Sequence, residues 1–532
     1  MNAPRRRREA AAPWSGWAAL LVLLAIATWL RFAGIGFGLP GKYRPDEEFT
    51  VSCSLRIFGG QPNPHFFTYP TLYMNLLAAV YGVWQRIGTW LGSFGAAGFQ
   101  PFVHANGGAA AHLAARMTAA AAGVLGVLAT YRLGRLAAGT RVGIVAALLL
   151  TFSYAHVRES HFATADVLLT LLATLALGAI MRVSETGRWR DSIVAGMLAG
   201  LAFSTKYPGL ALLVPLVLAH AVPWRRGALA RGGIAVLAMT AAFAAGSPYV
   251  FLDWKSFRGA LEREASFGGG VAGLDAPYGF SWLFGFALRY AAGIPVLAVG
   301  LIGAGWIVRD LFGGGPARPG AAILVSFVVA YTTPFLTYHL VYIRYVLPLL
   351  PILVVCAARA IEAAAQRMSP TRAVSIAVAI AALLSVEPAL RAWRTDRLLQ
   401  GPDTRNQARE WIATHVPSGA SIAASTSYWY AKPELPPGYR YVDFAHPRAA
   451  AAEWALVDEH PVRYFSPPPP PAAAQRLAST GELVADFNPF VPGREAEAVF
   501  DPADAFYVPL AGQAAIRAAG PSIRIYRLAP VQ

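Results

Sequence analysis

Charge is the first thing this sequence lacks. Only 14% of its 532 residues are Asp, Glu, Lys or Arg, against roughly 25% in a soluble globular chain. The 56% that are apolar come in long blocks, so the chain is read as an integral membrane protein. Runs of about 20 apolar residues fit bilayer helices and not the alternating strands of a barrel. Cysteine is almost absent. Cys53 and Cys356 stand alone in different contexts, which excludes a disulfide framework and leaves the redox compartment open. There is no Walker motif, no zinc-type Cys/His set, no nucleophile elbow and no internal repeat. Acidic residues are outnumbered by basic ones, 29 to 45, for a formal charge of +16. The cations fall in short clusters between apolar runs, as in membrane loops, so no nucleic-acid partner is expected.

The apolar runs are 14–33, 71–92, 112–131, 142–157, 164–181, 191–205, 207–222, 232–250, 284–308, 319–338, 343–358 and 371–390. The N-terminal run follows Arg5 to Arg8 and lacks a clear cleavage site, so it reads as a retained first helix with the N-terminus in the cytoplasm. If 71–92 does not cross, Arg132/Arg135/Arg141, Arg182/Arg188/Arg190, Arg225/Arg226/Arg231, Arg309/Arg318 and Arg359/Arg367/Arg372 all fall inside. If it crosses, all fall outside, against the positive-inside rule. The segment 71–92 is rich in Tyr and Trp and is therefore assigned to the outer interface. The expectation is a polytopic α-helical membrane protein with about 11 transmembrane helices in residues 1–390, including one external loop over 36–111.

After about residue 391 the hydropathy drops, and 391–532 reads as a small external α/β domain. "TRNQAREWIATHV" has a helical pattern; "ASIAAS", "YRYVDF", "VRYFSP" and "SIRIYRL" read as strands. Pro467–Pro471 reads as a stiff linker. "SFGGGVAG", 266–273, has no phosphate-loop context and reads as a flexible external loop, and "GGGPARPG", 313–320, as a cytoplasmic turn.

Some ionisable residues break the positive-inside pattern. Arg158, Lys206, Arg289 and Arg344 fall at or near the outer ends of helices, with Glu159 and Asp166 at the same level. Charges at membrane depth cost about 2.5–3.5 kcal/mol each on insertion scales and usually face a cavity. Any one Arg could simply snorkel or sit in a structural ion pair. Several cations and carboxylates at one level indicate a polar cavity opening outward. "YRPDEEFTVSCS", 43–54, places Asp46, Glu47 and Glu48 at its mouth. Cations suit a phosphate headgroup; carboxylates suit a general base or a divalent ion. His161, five residues before Asp166, reads equally as a lining residue or a ligand.

Five stretches carry a family resemblance: "RPDEEFT", "FFTYPTLYMNLLAAVYG", "ESHFATADVLLT", "GLAFSTKYPGLALLVPL" and "RYVLPLLP". In order and spacing the chain resembles membrane-embedded glycosyltransferases of the C-type fold that use polyprenyl-phosphate sugars. These are the protein O-mannosyltransferases of family 39 and the lipid A aminoarabinose transferases. The C-terminal part resembles that of bacterial members. The resemblance implies that Asp46 is the catalytic carboxylate, with Glu47 its partner in an acidic pair. It implies that Asp166 supports the site, through a divalent ion in one version, and that Lys206 and Arg344 hold the lipid phosphate. Arg158, Arg289, Tyr69, His161 and Tyr345 are further substrate-binding candidates. Thr68 and Tyr69 stand where the aminoarabinose transferases have an acidic-basic pair, which weakens a metal site of that type and argues against lipid A as acceptor.

The implied activity is transfer of a sugar from a polyprenyl-phosphate donor to a hydroxyl of a protein, lipid or glycan acceptor. It would take place at the outer face of the inner or plasma membrane, with inversion. A lipid-linked-sugar transporter or flippase is the rival reading; it calls for repeats and mid-depth charge.

Overall fold

The computed structural model describes residues 13–94, 98–222, 224–268, 279–313, 315, 317–338, 341–504 and 506–529. Arg5 to Arg8 lie outside the described residues, as do 269–273 of the expected glycine-rich loop and Gly314 and Pro316 of the expected turn. The first half of the chain forms helices α1 (Pro13–Phe32), α2 (Pro45–Phe58), α3 (Leu72–Trp90), α4 (Phe99–Ala138), α5 (Thr140–Thr151), α6 (Tyr154–Glu159), α7 (Ala165–Thr186) and α8 (Trp189–Thr205). Further long helices cover Ala228–Gly246, Ile294–Phe312, Arg318–Thr332, Leu350–Met368 and Val386–Gln400.

Among the described residues, six helices are long and apolar enough to cross a membrane, or seven if the pair Ala373–Leu384 and Val386–Gln400, bent by 49°, is one span. The sequence reading counted more because several apolar runs are broken. The run 142–157 stops at Thr151 and restarts as the short α6 at Tyr154. The 12 residues of α5 reach only about 18 Å at 1.5 Å per residue. Gly16–Phe32 and Tyr207–Ala221 are likewise short apolar helices. The α3 helix is not among the six. It lies against α4, where the Tyr73 and Tyr81 hydroxyls donate to the Ala115 and Ala111 carbonyls.

The arginine clusters between the runs meet at one end of the bundle. Arg141 pairs with Glu362, and Arg359 with Asp310. Arg225 donates to the Ser184 and Glu185 carbonyls. Arg132, Arg135, Arg182, Arg188 and Arg190 line one groove. The spacing that suggested a common side in the sequence is thus a common end in three dimensions.

The C-terminal part carries a five-stranded sheet of order β2-β1-β3-β5-β4, with β1 Ser421–Ala424, β2 Arg440–Asp443, β3 Trp454–Glu459, β4 Gly481–Phe487 and β5 Ser522–Leu528. The β1 strand pairs parallel with β2 and β3, and β5 pairs antiparallel with β3 and β4. The expected helix forms over Thr404–His415. "VRYFSP" is not a strand: Arg463–Phe465 makes a 3-10 turn, because Pro467 and its successors cannot donate to a ladder. The expected boundary at 390/391 falls inside the helix Val386–Gln400. Phe490, Phe500, Phe506 and Val508 of the C-terminal part share a core with Phe37 and Phe162 of the helical part. The two parts therefore pack as one body around those rings.

The α8 helix and the Ala228–Gly246 helix meet through Gly196 and Gly200, four residues apart on one face. A Cβ at Gly196 would stand 2.1 Å from the Ala235 carbonyl oxygen, and one at Gly200 2.2 Å from that of Met239. Small residues at this spacing let backbones touch where lipid gives no hydrophobic drive to pack. Gly200→Val forces these helices apart and is expected to destabilise the protein by about 1–3 kcal/mol. Thermal melting of the purified protein in detergent checks this, with Gly233→Ala, where a Cβ meets nothing within 4 Å, as the neutral control.

Candidate active site

The α2 helix starts where Pro45 occupies its first turn, after an extended Arg44. Successive residues of a helix point about 100° apart, so its three carboxylates reach three different places. Asp46 Oδ2 lies 2.9 Å from Arg344 Nη2. Glu47 is buried, accepts from Arg116 Nε and Nη2 at 3.0 and 2.8 Å, and caps the Ala163 amide at 2.8 Å. Glu48 pairs with Lys42 at 3.0 Å and His112 at 3.2 Å. Burial pushes the Glu48 carboxyl up, but the His112 and Lys42 hydrogen bonds reverse this and hold it at about 2. Glu47 is thus not the partner of Asp46 that the resemblance implied. It ties α2 to α4 and to the segment before α7.

Asp166 sits in the first turn of α7. Lys206 ends α8 in an extended conformation, just before Pro208, and this break turns its Nζ to within 2.6 Å of Asp166 Oδ1. Arg344 stands in the 3-10 turn Ile343–Leu349, which contains Pro348. Its guanidinium reaches Asp46, Asp166 at 3.9 Å and Asp504 at 3.7 Å. The Tyr69 and Tyr345 rings lie 5.2 and 4.7 Å from Lys206 Nζ, and the Tyr342 ring 4.2 Å from Arg344 Cζ. The site is graded in depth. Asp46 keeps 28% of its side-chain surface, whereas Asp166, Lys206 and Arg344 keep 6%, 7% and 5%. Among the described residues, Arg344 Nε has no hydrogen-bond partner.

Sequence reasoning missed the carboxylates behind Arg344. Asp504, on a loop of the C-terminal part, pairs with Arg44. Arg44 in turn lies 3.8 Å from Glu159, which pairs with Arg158. Burial pushes Asp504 up, and the charges of Arg44, Arg344 and Arg158 more than reverse it, holding the group well below the usual carboxylate range. Its neighbour Asp501 moves the other way, raised by burial and by the Asp504 charge, and accepts from the Ile343 amide at 3.0 Å. Glu264, in the helix Trp254–Gly268, hydrogen-bonds Thr68 and lies in the field of Lys206 and Asp46. A carboxylate therefore borders Thr68 after all, supplied from a remote segment. The only sequence signal for these groups was acidic residues in segments that lie far from the site along the chain.

Other expectations are corrected. Arg158 belongs to the layer behind the site, over the Phe506 ring at 4.7 Å. Arg289 is exposed over Tyr290 and does not join the cluster. His161 is not one turn from Asp166, because the chain leaves the helix between α6 and α7. It hydrogen-bonds the Val157 and Ala33 carbonyls and faces Asp396 at 3.5 Å. Among the described residues, no three His, Cys, Asp or Glu side chains form a group that could hold a metal ion. Asp46 and Asp166, the carboxylates available to a divalent ion, are each taken by a cation, so the residues do not fit such a site.

A cleft of about 560 Å³ separates the C-terminal part from the start of α2. Lys42, Tyr43, Glu48, Trp429, Tyr439 and Tyr441 line it.

The family model of dolichyl-phosphate-mannose-protein mannosyltransferases matches residues 100–251. No curated protein matches the chain in sequence. Among solved structures, ArnT from Cupriavidus metallidurans bound to undecaprenyl phosphate superposes with TM-score 0.56 and 16% identity, over 89% of this chain and 97% of that one. The oligosaccharyltransferase of Archaeoglobus fulgidus superposes in its apo form with TM-score 0.53 and 13% identity, over 85% and 70%. Its complex with an inhibitory peptide and a dolichol-phosphate does so at 0.51 and 12%, over the same shares. The chain has the fold of the membrane-embedded C-type glycosyltransferases and, within that class, resembles the protein O-mannosyltransferases of family 39 and ArnT.

Proposed function

We propose that this chain is an inverting glycosyltransferase that moves a sugar from a polyprenyl-phosphate donor to an acceptor hydroxyl at the outer face of the membrane. The observation that carries this reading is Arg344, a buried guanidinium held by carboxylates on several sides, whose Nε makes no hydrogen bond among the described residues. A planar donor of this kind suits a phosphate. The polyprenyl phosphate and dolichol-phosphate held by the two neighbours of this fold support the same donor class here.

A donor phosphate entering the site satisfies Nε and competes with Asp46 for Nη2. The exchange releases the Asp46 carboxylate, the most exposed group of the cluster, to an acceptor. Lys206, oriented by Asp166 and flanked by the Tyr69 and Tyr345 rings, is the second phosphate cation. Asp46 takes the proton of the acceptor hydroxyl as its oxygen attacks the anomeric carbon. The bond from that carbon to the phosphate oxygen breaks, and its electron pair leaves with the phosphate, whose charge Arg344 and Lys206 stabilise. A single displacement inverts the anomeric centre. The cleft beside Lys42, Tyr43 and Trp429 admits the acceptor, because aromatic faces and charged edges together suit a sugar or a polar chain. The arginine-rich end of the bundle faces the cytoplasm, which puts the site, the C-terminal part and α3 outside an inner or plasma membrane.

Asp46→Asn keeps the shape of the site and removes the base. It is expected to lower turnover by about 10²–10⁴-fold with donor binding retained; near-normal transfer would remove Asp46 from this role. Lys206→Gln and Arg344→Gln are expected to weaken binding of undecaprenyl phosphate to the purified protein. Because each leaves a buried carboxylate short of its cation, the double variant Lys206→Gln/Asp166→Asn, which removes both partners, separates lost binding from lost folding. Threading is checked with single cysteines replacing Ala105, Leu229 and Arg440, all exposed, in a background without Cys53 and Cys356. A membrane-impermeant thiol reagent on whole cells is expected to label the first and third positions only. Labelling at 229 would reverse the orientation.

A further inference from the structure

A second groove lies at the other end of the helical bundle. It has a volume of about 680 Å³ and runs between α1, α4, α7 and α8. Its position along α7 separates it from the carboxylate site. Asp166 and Arg182 are sixteen residues apart on that helix, about 24 Å at 1.5 Å per residue.

The groove has two unlike halves. Its walls carry the guanidiniums of Arg132, Arg135, Arg182, Arg188 and Arg190 against one carboxylate, Asp191. Asp191 is already engaged by Arg182 at 3.7 Å and by the Thr186 hydroxyl at 2.6 Å. The other half is apolar, built from Leu128, Leu136, Leu175, Val194 and Leu198. Val194 is 41% exposed and the neighbouring Leu125 51%, so this half opens onto the side of the bundle, where hydrocarbon lies. Trp17, also in the lining, is 54% exposed and stands 6.5 Å from the Tyr131 ring. That is the amphipathic pairing found at headgroup level.

We infer that this groove binds an anionic diacyl phospholipid, its phosphate among the arginines and one acyl chain along the leucine floor. Charge complementarity selects the headgroup, since five cations crowded against one carboxylate are relieved by a phosphate and not by a zwitterion that brings its own cation. Basic pockets between helices at the charged leaflet have this ligand chemistry. The apolar half selects a lipid over free phosphate, which would leave that half empty. The lipid-phosphate donor belongs to the opposite end, where Asp166, Lys206 and Arg344 lie. A lipid wedged between four helices also clamps α7 and α8, the helices that deliver Asp166 and Lys206 at their far ends.

The test uses the full chain in neutral detergent micelles doped with phosphatidylglycerol or, at equal mole fraction, phosphatidylcholine. Phosphatidylglycerol is expected to raise the melting temperature by several degrees over phosphatidylcholine, and native mass spectrometry is expected to show it retained. Arg135→Gln/Arg188→Gln is expected to lower that retention by about tenfold or more. Val194→Trp, at an exposed position, fills the groove without changing charge and is expected to lower retention as well. Equal effects of the two lipids overturn the inference. So does an equal shift produced by inorganic phosphate alone. If the arginine variant loses undecaprenyl phosphate instead of phosphatidylglycerol, the groove is a donor site and the inference fails.

Discussion

One guanidinium holds the site together. Arg344 lies among Asp46, Asp166 and Asp504, and each of these comes from a different part of the chain. Taking a charge out of water costs several kcal/mol unless it is well paired, so this one residue dictates where three remote segments must sit. The start of α2, the start of α7 and a loop of the C-terminal part converge on it. The pairing also explains how buried cations persist in this part of the protein, since carboxylates neutralise them.

The C-terminal part is therefore more than an appendage carrying a sheet. It supplies Asp504 to Arg44 and Arg344, and Asp501 to the amide of Ile343. The Phe506 ring seals this contact against Phe162 at 4.3 Å and lies under the guanidiniums of Arg44 and Arg158. Aromatic faces favour cations and exclude water, which strengthens the ion pairs they cover. The site consequently forms only when the helical part and the C-terminal loop are docked.

Charge is sorted along the bundle. At one end the arginines outnumber the carboxylates and lie near the polar rim; at the other, cations and carboxylates nearly balance and are buried. The same α7 helix runs between both, with Asp166 in its first turn and Arg182 toward its far end. The helix dipole favours the Asp166 carboxylate at the N-terminus.

The sequence by itself determined the class of structure and drew attention to part of the charged cluster. Low charge and long apolar blocks dictate membrane helices, because lipid forces the backbone to pair within itself and unbroken apolar runs suit a helix and not an alternating barrel strand. The arginine spacing placed the clusters together, and α3 is not among the helices long and apolar enough to span. Asp166, Lys206 and Arg344 drew notice in the sequence as ionisable residues where charge is costly, and Asp46 as part of an acidic run; the structure brings the four together. Tertiary structure decided what those residues touch. Glu47 and Glu48 follow Asp46 in sequence but face Arg116 and Lys42, since a helix sends neighbours in different directions. His161 lost its place because the chain leaves the helix between α6 and α7, a turn invisible in composition. The apolar runs are interrupted at Phe152 and Lys206 because such breaks depend on packing rather than hydropathy. Asp504 and Glu264 could not be assigned from sequence. Asp504 lies 460 residues from Arg44, and Glu264 reaches Thr68 and the field of Lys206 only once the chain is folded.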